Sequence, residues 1–213
     1  MSNEVNNFSV SEEFWHSITH GLGLFLSIIA LASLVNLSND AITLNLISSI
    51  IYGTSLIVMY GSSTIYHATK ATNLKLLFQK FDHSAIYFLI AGTYTPIVLV
   101  VIGGFNGWSI FVTEWSIAII GVYLKFKYPN RFEILSLVAY LVMGWLIVIV
   151  IDTLKANIDP IGFYLIIAGG ISYTAGIVFY VKDNINYWHA IWHIFVRGGS
   201  AFQFFAIYYY VLV

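Results

Sequence analysis

His189 and His193 stand four residues apart in the stretch Asn186-Tyr187-Trp188-His189-Ala190-Ile191-Trp192-His193, which opens the last long apolar run of the chain. On a helix, positions i and i+4 share a face, so both imidazoles can reach one object, and a metal ion is the object such a pair suits. The familiar helical zinc pair has a glutamate directly after its first histidine. Ala190, Ile191 and Trp192 offer no carboxylate here, so a general base must come from another helix. Four further histidines are available, His16, His20, His67 and His83, and there is no cysteine. Thiolate ligation and disulfides are thereby excluded, and any metal must be held by histidine and carboxylate.

The elements that must position these groups follow from composition. Of 213 residues 59% are hydrophobic and 9% charged, where an ordinary soluble domain carries about 25% charged residues. The bilayer is the expected solvent. A net charge of -1 with nine lysines and arginines gives no footing for a nucleic-acid partner. Crossing about 30 Å of hydrocarbon takes roughly 20 apolar residues, and seven such runs emerge at approximately 17–37, 43–66, 84–103, 108–124, 134–151, 161–181 and 188–212. The breaks between them are short: Ser38-Asn39-Asp40, Ala68 to Phe81, Gly104-Phe105-Asn106-Gly107, Lys125 to Glu133, Asp152 to Pro160, and Lys182 to Tyr187. Glu114 sits about six residues inside the fourth run, where a carboxylate should face a neighbour or a cavity rather than lipid.

The expected fold is therefore an all-α integral membrane protein, a single seven-transmembrane helix bundle over residues 1–213 behind a short cytoplasmic segment, 1–15. Met1 to Glu13 holds three glutamates and no lysine or arginine, unlike a secretory leader, so the first run is expected to stay in the mature protein. Lys70, Lys75, Lys80, Lys125, Lys127, Arg131 and Lys182 all fall in alternate loops, against Lys155 alone on the other side. Since basic residues accumulate on the cytoplasmic side, the N-terminus is expected there and the C-terminus outside.

This orientation places all six histidines near the inner leaflet. His16 and His20 open the first span, His67 closes the second, Asp82 and His83 open the third, and His189 and His193 open the seventh. Histidines within membrane spans are uncommon enough to be read as functional. His67, His189 and His193 together supply the ligand number of a catalytic zinc site with one open position, and Asp82 lies at the same depth. Taken singly, His16, His20 and His83 fit interfacial or packing roles as well as ligation. Ser63 lies one turn before His67 and either orients a ligand or bound water or serves helix packing. Arg197, one turn deeper than His193, pairs with a carboxylate, snorkels, or binds an anionic group.

Ser63-Thr64-Ile65-Tyr66-His67, Phe81-Asp82-His83-Ser84, Ala91-Gly92-Thr93-Tyr94-Thr95-Pro96 and His189-Ala190-Ile191-Trp192-His193 together resemble the hemolysin III family, the bacterial branch of the progestin and adipoQ (adiponectin-receptor-like) superfamily. The similarity extends to Thr19-His20-Gly21 and Gly144-Trp145. The resemblance implies seven transmembrane helices and a zinc ion near the inner leaflet. It implies His67, His189 and His193 as ligands, Asp82 acting through a water, and Ser63 nearby. It also implies a bacterial plasma membrane. Arg197 and Gln203 depart from the apolar residue and the histidine expected at those positions, so the lining above the metal differs from the family pattern.

A zinc held by three neutral imidazoles lowers the pKa of a bound water to about 7, and Asp82 is expected to take or orient its proton where it comes within about 3 Å. The chemistry expected is hydrolysis of a lipid amide or ester at the inner boundary, ceramide-like amides being the substrates proposed for the receptor relatives. Two alternatives from other classes stand beside it. One is a metal-stapled sensor or regulator of bilayer state, with a closed site and Asp82 bonded directly to the metal. The other is a cytolytic pore, which needs a continuous polar path that the second, fifth and sixth spans scarcely offer. The absence of lysine from the seventh span disfavours a retinal photoreceptor.

Overall fold

The computed structural model describes residues 8–38, 43–129 and 131–212; Met1–Asn7 and the expected break at Asn39-Asp40 lie outside the described residues. These are helical with short connections and no strand among them. In chain order the helices are α1 (Val10–Ser38), α2 (Thr43–Ala68), α3 (Thr72–Ile102), α4 (Gly104–Lys127), α5 (Glu133–Asn157), α6 (Pro160–Val181) and α7 (Trp188–Ala206), the last continued by one wide turn, Ile207–Val211. Helices α1 to α6 are each long and apolar enough to cross a membrane. Helix α7 falls short of them in apolarity because one of its faces carries His189, His193, Arg197 and Gln203.

Burial is inverted relative to a water-soluble bundle. The buried residues of α1 are Glu12, His16, His20, Gly23, Ser27, Ala30, Leu34 and Ser38, one polar and small-residue stripe at helical spacing. Its exposed face carries Phe14, Trp15, Ile18, Leu22, Phe25, Leu26 and Ile29. Apolar side chains facing outward and polar ones facing inward are what a hydrocarbon solvent selects. Helix α2 packs between α1 and α3, and α7 packs on α6 and α1.

Two local devices shape the bundle. Gly103 and Gly104, with φ of 60° and 53°, make the tight reversal between α3 and α4 in a region that side chains disfavour. Helix α5 is interrupted at Trp145, where the Tyr94 hydroxyl donates to the Gly144 carbonyl at 2.9 Å and accepts the Ile147 N–H at 3.0 Å. Tyr94 thus replaces the backbone bonds that the break frees, which a membrane interior requires.

Candidate metal centre

Helices α1 and α3 begin well before the apolar runs expected at 17 and 84. Helix α1 starts at a capping box: the Ser9 hydroxyl and N–H both donate to Glu12 Oε2, and the Glu12 N–H donates back to Ser9 Oγ at 3.2 Å. The extra turns carry Glu12, Glu13 and His16 into the bundle. Glu12 is buried, and its Oε1 accepts the backbone N–H of Tyr187 at 2.9 Å, fixing the turn that leads into α7. Tyr187 is the one non-glycine residue with positive φ, 65°, among the described residues.

His67 of α2 and His189 and His193 of α7 are buried, and their ligand-competent atoms all lie within 4.8 Å of one another. Each has a neighbour on its Nδ1 side. His67 Nδ1–H donates to Glu13 Oε2 at 2.6 Å, and Glu13 is paired in turn with Lys75 of α3. Thr19 gives its one hydroxyl proton to the His16 carbonyl at 2.9 Å, so its oxygen accepts from His193 Nδ1–H at 3.1 Å. Asp183 Oδ2 lies 4.0 Å from His189 Nδ1; burial raises the Asp183 carboxyl above its ordinary value. A carboxylate or hydroxyl that holds the proton on Nδ1 leaves the lone pair on Nε2. The Nε2 atoms of all three rings are buried without a hydrogen-bond partner. Buried, unpartnered nitrogens on three rings whose ligand-competent atoms group within 4.8 Å are costly unless an electrophile satisfies them, so these residues fit a divalent ion of the zinc type.

His16 and His20 belong to the same cluster. His16 is completely buried, and its ring centre lies 4.7, 4.8 and 5.4 Å from those of His67, His189 and His193. It also forms a second ligand-competent group with Glu13 and His67. His20 stacks on His193 with centres 3.4 Å apart, and Phe8 covers His16 and His189 at 4.7 and 4.9 Å. His83 stands apart on the α3–α5 side, where its carbonyl accepts from the Tyr140 hydroxyl at 2.9 Å.

Asp82 of α3 is buried next to Ser63 of α2, whose hydroxyl is buried without a hydrogen-bond partner. Asp82 is in neither ligand-competent group among the described residues. One turn beyond these residues lies a mostly apolar cavity of about 120 Å³, lined by Met59, Ile86, Tyr140, Trp192, Val196 and Gln203 among others. Gln203 donates to the Ile166 carbonyl at 3.0 Å and lies so close to Gly169 that a Cβ there would come within 2.6 Å of its Nε2. Arg197 Nε is buried with no hydrogen-bond partner.

Sequence reasoning gave Glu12, Glu13 and Thr19 no part in the site. The signals were present: Ser9-Val10-Ser11-Glu12 is a capping box, and Glu13, His16 and His20 recur at helical spacing.

The sequence model of the family described as Haemolysin-III related matches residues 8–204. Hemolysin-3 of Bacillus cereus is 42% identical over 204 residues, 95% of this chain and 93% of its own length. The Hemolysin-3 homolog of Bacillus subtilis (strain 168) is 43% identical over 204 residues, 95% and 96% of the two chains. The human Monocyte to macrophage differentiation factor is 31% identical over 203 residues, 91% of this chain and 82% of its own.

Proposed function

Since this chain belongs to the haemolysin III-related family of multi-pass membrane proteins, we propose that it binds zinc at the histidine cluster and hydrolyses an amide or ester bond of a membrane lipid there. The observation that carries this reading is the convergence of three buried imidazoles, whose ligand-competent nitrogens lie within 4.8 Å of one another, each with an unpartnered Nε2 and two with their Nδ1 protons held by Glu13 and Thr19. His67, His189 and His193 hold the ion. Bound in such a site, zinc polarises a carbonyl and lowers the pKa of water.

The remaining work falls to this chain's own residues. Asp82, with Ser63 beside it, is the carboxylate nearest in kind to a general base, accepting a proton at its Oδ atoms and returning it to the leaving group. The cavity beyond Trp192 takes the acyl chain, and its apolar lining keeps bulk water from the far side of the reacting bond. Helix α7 makes the seventh crossing, its polar face turned to the bundle interior. The N-terminus is cytoplasmic and the C-terminus outside, in a bacterial plasma membrane, which sets the cluster at the inner boundary.

A second reading is a metal staple that ties α2 to α7 and performs no chemistry; Asp82, outside both ligand groups, does not supply the direct metal bond expected of that reading. Lysis, suggested by the names of the bacterial relatives, draws no support from the mostly apolar cavity. Purified protein in mixed micelles, given long-chain ceramides and esters, separates the readings. Fatty-acid release by the parent, lost in His193→Ala and in Asp82→Ala, is the result expected. Equal release from parent and His193→Ala removes the enzyme reading.

A further inference from the structure

The three ligand imidazoles are packed by a fourth. The ring centres of His16, His67, His189 and His193 stand 4.7, 4.8 and 5.4 Å apart for the pairs involving His16, and 5.3, 5.3 and 4.8 Å for the other three. All six edges are therefore of similar length, which makes the centres a nearly regular tetrahedron. An imidazole bound to zinc at about 2.0–2.1 Å has its ring centre roughly 3.2 Å from the ion, so four at tetrahedral angles have centres about 5.2 Å apart. The observed edges bracket that value.

His16 shares its burial and unpartnered ring nitrogens with His20, and its near-equal distances from the other three rings set it apart as a ligand candidate. It is completely buried, and neither ring nitrogen has a hydrogen-bond partner, whereas a satisfied core histidine uses at least one. In this structure its ligand atom groups with Glu13 and His67. Rotation about the soft Cβ–Cγ torsion turns a ring nitrogen toward the other three without moving the ring centre far. Among the described residues no carboxylate makes up a group with His189 and His193.

We infer that His16 is the fourth ligand, so that the resting ion is held by four imidazoles from α1, α2 and α7 in a closed shell. The inference rests on the metal half of the reading above and not on hydrolysis. Under it, water or a lipid carbonyl reaches the ion only after His16 leaves, and α1 rather than α3 governs access. Phe8, packed edge-on against His16 at 4.7 Å, then holds the fourth ligand in place from outside.

The test uses the full-length protein purified with zinc and, separately, with cobalt. X-ray absorption at the zinc edge of the parent is expected to show four imidazoles and no oxygen ligand, and the cobalt form the intense visible bands of a tetrahedral ion. In His16→Ala an oxygen should replace one imidazole, with affinity in chelator competition lowered by at least the roughly 10- to 100-fold that loss of an outer-shell partner costs. His16→Asn, which keeps a polar side chain, should lose the imidazole in the same way. A parent shell of three imidazoles plus oxygen overturns the inference while leaving the metal reading intact, and so does an unchanged shell in a folded His16 variant. A parent that binds no zinc overturns both. The parent spectrum decides even if neither variant folds.

Discussion

Glu13 on α1 and Glu114 on α4 are two glutamates drawn into the same bundle and given opposite company. Glu13 accepts from His67 Nδ1 on one oxygen and from Lys75 on the other, so it ties three helices together. Glu114 is completely buried, and neither carboxyl oxygen has a hydrogen-bond partner. The contrast teaches what makes a buried acid a positioning device. Glu13 fixes a tautomer and hence the direction of a lone pair, while Glu114 carries its desolvation without fixing anything that the structure shows.

Five substitutions break or sharpen that contrast. The largest effect belongs to the rings themselves: His67→Ala should strip the purified protein of its zinc, read by elemental analysis after dialysis. Glu13→Gln should retain zinc but bind it roughly 10- to 100-fold more weakly, because the amide no longer holds the Nδ1 proton as a carboxylate does. If Glu114→Gln weakens zinc to the same extent, the distinction between the two acids is wrong. Glu12→Ala removes both the capping box of α1 and the acceptor for Tyr187 N–H, and is expected to cost about 1–2 kcal/mol, seen as a lowered melting midpoint in detergent. The smallest change comes from Glu114→Met, which replaces an unsatisfied buried carboxyl by an apolar chain of similar reach. It should raise the midpoint slightly, by about 1 kcal/mol of stability, and leave zinc untouched.

The apolar runs and the three clustered histidines were legible because both depend on spacing along one helix at a time. His189 and His193 needed only the i to i+4 relation, and His67 only its place at the end of a run. What spacing along a helix cannot supply is azimuth between helices. Asp82 is expected at the depth of the three histidines, yet depth does not say which way α3 turns it, and it sits with Ser63 rather than in a ligand group. Glu12, Glu13 and His16 were obscured by a different cause. Two adjacent glutamates end an apolar run on any hydropathy count, although inside the bundle they are bonded and belong to the helix. The polar, buried face of α7 likewise lowers its apolarity below that of the other six.

Tyr187 has one more consequence. A side chain in the left-handed region costs roughly 1–2 kcal/mol, which this turn sustains because Glu12 grips its N–H from another helix. The base of α7 therefore behaves as a cocked joint, its angle set by a clasp that the last helix does not own. That clasp closes two residues before His189, so the aim of the first α7 histidine is tied to a side chain of α1.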